Sequence, residues 1–149
     1  MPGFVVDASA TLPWCFEDEA TPATEALLER LRAGEPVVVP AHWSTEVMNG
    51  LMMAVRRSRI DLERVARFAR DLAALPILIE PPYAPAAWEA VIRVASLHQL
   101  TIYDAAYLEL AERTGLPLAT SMAICEQRRW PQAWVWWKDD CIIVFHARD

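Results

Sequence analysis

Phe4-Val5-Val6-Asp7-Ala8-Ser9-Ala10 is the stretch that decides how this chain is read. Three aromatic or β-branched residues with no polar alternation describe a strand buried on both faces, and a carboxylate stands at its carboxyl end. Similar short runs recur between breakers: Val37-Val38-Val39 framed by Pro36 and Pro40, Ile77-Leu78-Ile79 closed by Pro81-Pro82, and Leu116-Pro117-Leu118-Ala119. Helical patterns fill the gaps. Thr21-Pro22 supplies an N-cap with proline at N1, and Ala26, Leu27, Leu28 and Leu31 follow at helical spacing until Gly34. Ser44 is read as the cap of a helix carrying Val47, Met48, Leu51, Met52 and Val55; Asp61 caps another, with Leu62, Val65, Phe68 and Leu72 inward. Further helices are expected over about 85–98 and 103–114, the second stopped by Gly115. Short apolar strands alternating with helices predict an α/β fold, a short and mainly parallel central sheet in a three-layer α/β/α arrangement. With no repeat or linker, residues 1–149 read as one domain.

The bulk numbers agree with a packed globule. Of 149 residues, 54% are hydrophobic, which excludes a disordered chain. No apolar run approaches the roughly 18 residues of a membrane span. The first residues run straight into the strand, leaving no expected signal peptide. Cys15, Cys125 and Cys141 are odd in number and form no CxxC pair, so neither a disulfide framework nor a zinc site is expected, and a cytoplasmic location is. The net charge of −6 argues against a broad electrostatic surface for nucleic acid. It is compatible with acids gathered around cations, where bound metal reverses the local sign, and with a basic partner.

Asp7 follows the first strand, Glu46 lies in the first turn of the helix after the second, and Asp104 opens the helix before the last. Each has a structural account of its own. Asp7 would cap the next segment, and Glu46 and Asp104 are first-turn acids favoured by the helix dipole. Together they fall near one edge of the expected sheet, where converging carboxylates repel one another unless cations lie between them. Magnesium takes oxygen ligands, and two such ions orient a water and stabilise a leaving oxygen in phosphodiester hydrolysis.

The same residues resemble a known family. Phe4 to Ala10, then Pro40 with Glu46-Val47-Met48-Asn49-Gly50-Leu51, then Thr101-Ile102-Tyr103-Asp104-Ala105-Ala106-Tyr107-Leu108-Glu109-Leu110-Ala111, then Gly115-Leu116-Pro117-Leu118-Ala119-Thr120 look like the successive motifs of PIN domains. The resemblance is nearest to VapC-type toxins of bacterial toxin–antitoxin modules and covers residues 4–120. It implies a PIN-like α/β/α fold, magnesium or manganese as cofactor, and endonucleolytic cleavage of RNA. It also implies a homodimer and a cognate antitoxin partner. By the same resemblance Asp7, Glu46 and Asp104 are the metal-site acids, Ser9 supports Asp7, and Tyr107 holds a structural rather than catalytic position.

The pattern breaks after Thr120. Where the family carries a fourth acid, this chain has Met122, and four of its seven tryptophans, Trp130, Trp134, Trp136 and Trp137, follow. A frameshift would account for this. Written TCG-ATG-GCG-ATC-TGC with one C restored ahead, Ser121 to Cys125 reads Leu-Asp-Gly-Asp-Leu, and GC-rich codons continue into an Ala-rich segment and an apolar one. Codons in the source gene incompatible with that frame would rule it out. Trp134 to Trp137 and Ile142 to Phe145 are read as a hairpin around Lys138-Asp139-Asp140. Asp139, Asp140 and His146 read as a solvated turn and terminus rather than as replacement ligands.

Other features carry less. Arg56, Arg57, Arg59, Arg64, Arg67 and Arg70 read as a solvated helical face paired with Asp61, Glu63 and Asp71 before they read as phosphate contacts. Met48, Met52 and Met53 read as core or dimer packing. His42 and His98 lack partners at metal-ligand spacing. A phosphatase would want Asp-x-Asp where Asp7-Ala8-Ser9 stands, and a receiver domain would want paired early acids. The function expected is a magnesium-dependent endoribonuclease. The alternative is an impaired PIN domain that only binds an antitoxin or dimerises, and Met122 raises it.

Overall fold

The structure, a computed structural model, describes residues 3–121 and the strand segments 134–137 and 142–145. Phe4, Val5 and Val6 form β1 (Phe4–Val6), each at most 1% exposed although successive side chains point to opposite faces. Both faces of the strand are therefore covered. β1 pairs in parallel with β2 (Val37–Val39) on one side and β4 (Leu118–Ala119) on the other, and β3 (Ile77–Ile79) extends the sheet beyond β2 in the order β3-β2-β1-β4. At that edge Leu78 and Ile79 are exposed, so burial is complete only at the sheet centre.

The helices are α1 (Ala8–Thr11), α2 (Pro22–Arg32), α3 (Trp43–Arg56), α4 (Leu62–Ala73), α5 (Trp88–His98) and α6 (Ile102–Thr114). With the sheet they make the three-layer α/β/α arrangement. Local chemistry explains most boundaries. Thr21 and Thr24 form a reciprocal capping box ahead of Pro22. Asp61 Oδ1 accepts the Arg64 N–H at 2.7 Å and caps α4. Gly115 ends α6 at φ 67°, a left-handed position that glycine adopts without a Cβ clash.

Several sequence expectations need correction. Ser44 is not a cap: α3 begins at Trp43 behind His42, whose side chain makes no capping bond. The segment from Pro85 opens with a 3₁₀ turn (Pro85–Ala87) before α5. Helix α1 and two 3₁₀ turns (Leu12–Trp14 and Glu17–Glu19) fill a stretch too short for periodicity to reveal. Met48 and Met52 are 57% and 37% exposed, so of the two readings, core or dimer packing, the core one fails for them. Of the arginine pairs, Arg67 meets Glu63 as expected, but Arg59 reaches instead to Asp18 and Glu19, and Asp61 serves as a cap.

Helix α6 is buried from Ala105 through Ala111. Its one buried charge in that run, Glu109, accepts hydrogen bonds from Tyr83 at 2.6 Å and Arg113 at 2.9 Å, which is how a carboxylate is tolerated there. No described helix is long and apolar enough to cross a membrane. β5 (Trp134–Trp137) and β6 (Ile142–Phe145) pair antiparallel as the expected hairpin, with β6 beside β4. The turn Lys138-Asp139-Asp140, His146 and Met122 lie outside the described residues.

Candidate active site

Parallel pairing puts the carboxyl ends of β1 and β4 side by side, and this is where the sheet order reverses. From β1 the chain builds outward through β2 to β3, then returns to place β4 on the opposite flank. Diverging connections at such a point leave a crevice beyond the strand ends, the usual ligand position of open α/β sheets. Asp7 and Thr120 stand at the ends of these two strands.

Asp7 is 1% exposed. Its backbone N–H donates to the Ala119 carbonyl at 3.1 Å, continuing the β1–β4 ladder, while its side chain caps α1. Oδ1 accepts from Ser9 Oγ at 2.6 Å and from the Ala10 N–H at 2.9 Å, and Oδ2 accepts from the Thr120 hydroxyl. Ser9 Oγ in turn accepts the Ser121 N–H at 3.0 Å. Asp7 is thus both the cap that local sequence suggested and a fixed, buried carboxylate. Burial pushes it up to about 6 in spite of these bonds, and the charge of Asp104 pushes the same way.

Glu46 arrives on α3, after β2. Its Oε1 accepts from the Tyr107 hydroxyl at 2.8 Å. His42 Nε2 lies 3.0 Å from the same oxygen, in ion-pairing range though off the line of a well-formed hydrogen bond. Burial raises Glu46, but the His42 and Tyr107 contacts outweigh it and hold the carboxyl below its ordinary range. Asp104, half-buried in the first turn of α6, is raised by burial and by the Glu46 carboxylate, against the opposing pull of Thr101 and His42. The three acids therefore sense one another in a chain, Asp7 to Asp104 to Glu46, from three separate elements.

Their chemistry suits a hard divalent cation. The donors are carboxylate oxygens, and a cation would relieve the burial and repulsion that raise Asp7 and Asp104. Among the described residues no three of His, Cys, Asp and Glu stand close enough to hold an ion by themselves.

Three neighbours take contacts at the site that the sequence reading did not assign to them. His42 precedes Glu46 by four residues, one helical turn, a signal hidden because neither is a recognised metal pair. Tyr107 lies one turn beyond Asp104 on α6, so its ring reaches the same face. Thr120 meets Asp7 only through the parallel β1–β4 register, for which no local pattern exists.

Comparison with known proteins bears on this arrangement. The PIN domain family matches residues 4–121, ending one residue before Met122. Ribonuclease VapC12 of Mycobacterium tuberculosis is 36% identical over 118 residues, spanning 78% of this chain and 84% of that protein. Exonuclease VapC9 of Pyrobaculum aerophilum is 36% identical over 76 residues, 50% of this chain and 53% of that protein. Among solved structures, PAE2754 from Pyrobaculum aerophilum is similar at a TM-score of 0.62 and 27% identity, covering 83% of this chain and 76% of that one.

Proposed function

The chain belongs to the PIN domain family, and on that footing we propose that it is a magnesium- or manganese-dependent endoribonuclease, the toxin of a type II toxin–antitoxin pair. Asp7, Glu46 and Asp104 are its metal-binding and catalytic acids, with Ser9 in support. The observation that carries this reading is Asp7: a buried, raised carboxylate held by three donors at the reversal point of the sheet, within electrostatic reach of Asp104. A purely structural cap has no reason to keep a charge there at such cost, since asparagine would cap as well. Bound cations would supply charge neutralisation at the phosphodiester and a water of lowered pKa. The protein's own part is orientation. Ser9, Ala10 and Thr120 aim the Asp7 oxygens, Tyr107 and His42 hold Glu46, and the α6 N-terminus presents Asp104. RNA, a cognate antitoxin and a second copy of the chain are the partners proposed, in the cytoplasm.

The test is RNA cleavage with magnesium, on linear and circularised substrates, beside Asp7→Ala. Cutting of the circle, abolished by Asp7→Ala and by chelation, is the expected result; trimming of linear RNA alone would make the enzyme an exonuclease. Insensitivity to Asp7→Ala would remove the acidic site from the reading. A second reading rests on Met122, which stands where the family carries its fourth acid: a PIN domain that binds its antitoxin or dimerises without cutting. An inactive protein rescued by Met122→Asp would favour it.

A further inference from the structure

One oxygen of Glu46 is occupied twice. Oε1 takes the Tyr107 hydroxyl at 2.8 Å and lies 3.0 Å from His42 Nε2, while Oε2 has no hydrogen bond among the described residues. Tyr107 is 1% exposed, and its ring meets the His42 ring edge-on at 4.9 Å, so the two side chains brace each other. The phenol oxygen thus ties α6, the helix that carries Asp104, to α3, the helix that carries Glu46.

We infer that Tyr107 is a positioning residue for the cation site, assisted by His42: together they hold Glu46 through Oε1 and leave Oε2 to face the ion. This rests on the proposed metal-dependent reading and adds residues to it. The physical reason is preorganisation. Glu46 has a long, partly exposed side chain whose rotamers would otherwise be lost on ligation, and a carboxylate already fixed by its outer partners loses less. Outer-shell partners of this type change metal affinity by about 10- to 100-fold when removed.

Calorimetric titration with Mn²⁺ alone, on the full chain, tests this without relying on turnover. Tyr107→Phe keeps the buried ring and removes only the hydroxyl; Mn²⁺ affinity should fall by about 10-fold. The Mn²⁺ concentration for half-maximal RNA cleavage should rise by the same factor, with the KM for RNA unchanged. His42→Ala should weaken Mn²⁺ binding as well, and His42→Gln, which returns a donor toward Oε1, should recover it. That pair keeps the test valid if Tyr107→Phe fails to fold. Mn²⁺ affinity within twofold of the parent in both Tyr107→Phe and His42→Ala, while Glu46→Gln loses binding, would overturn the positioning role and leave the metal site standing. Parent-like Mn²⁺ binding in Glu46→Gln would remove Glu46 from the metal site, and the positioning role with it.

Discussion

Replacing Asp7 with asparagine should make the metal-free protein more stable at neutral pH and leave it without nuclease activity. The carboxyl is 1% exposed and titrates at about 6 rather than at its ordinary 3.8. Its native-state proton affinity exceeds that of the unfolded chain, so the stability this group contributes is greatest below about pH 3.8. It declines as pH rises through about 6, where the folded protein must carry a buried charge. The difference corresponds to about 3 kcal/mol at pH 7.5. For a domain of this size each kcal/mol moves the melting temperature by roughly 2–4 °C, so Asp7→Asn should melt about 6–12 °C higher at pH 7.5 with chelator present. Asparagine keeps an oxygen for Ser9 and Ala10 and offers an N–H to Thr120, so the capping geometry survives. At pH 4 the parent carboxyl is itself protonated, and the gap between the two proteins should nearly close. Adding Mn²⁺ at pH 7.5 should raise the melting point of the parent and leave the variant unmoved. Thermal melts followed by circular dichroism at the two pH values, with and without Mn²⁺, give all four numbers. A variant that is no more stable than the parent at pH 7.5, or a gap that is the same at pH 4, would refute the claim that burial of this charge opposes folding.

Thr120→Val keeps the shape of the side chain and deletes the hydroxyl that holds Asp7 Oδ2. Since that bond lowers Asp7, its titration followed by carboxyl ¹³C NMR in the metal-free protein should move above about 6. Leu31→Ala, at a fully buried position on α2, which carries none of the three site acids, should cost about 2–5 kcal/mol in urea unfolding while leaving Mn²⁺ affinity unchanged. Thr21→Ala breaks the capping box at the start of α2 and should cost about 1 kcal/mol by the same measurement.

The elements most legible in the sequence are those whose cause is local. Val37-Val38-Val39 between prolines can hardly be anything but a short buried strand, and Thr21-Pro22, Asp61 and Gly115 act where they stand, through caps and a left-handed turn. Ser44 misled because a serine near a helix start resembles a cap, whereas the chain had already turned into α3 at Trp43. The core half of the methionine reading failed for a related reason. Helical spacing identifies the face on which Met48 and Met52 lie, but whether anything covers that face depends on the neighbouring layer, and here both are exposed. Of the arginines read as one helical face, Arg57 and Arg59 lie past the end of α3, and Arg59 pairs with Asp18 and Glu19 some forty residues away in a 3₁₀ turn that no periodicity announces.

By itself the sequence settled the backbone position of Asp7 and, through the succession of motifs, the family, and it offered the helix cap as one of two readings. Those follow from short-range preferences and from order along the chain. Only the tertiary structure decided what the carboxylate is. Its burial, the Thr120 hydroxyl brought over by β4, the repulsion from Asp104 and the Tyr107–His42 hold on Glu46 all depend on strand order and helix packing. Electrostatic energy depends on separation and solvent exposure, and neither can be read from spacing along a chain.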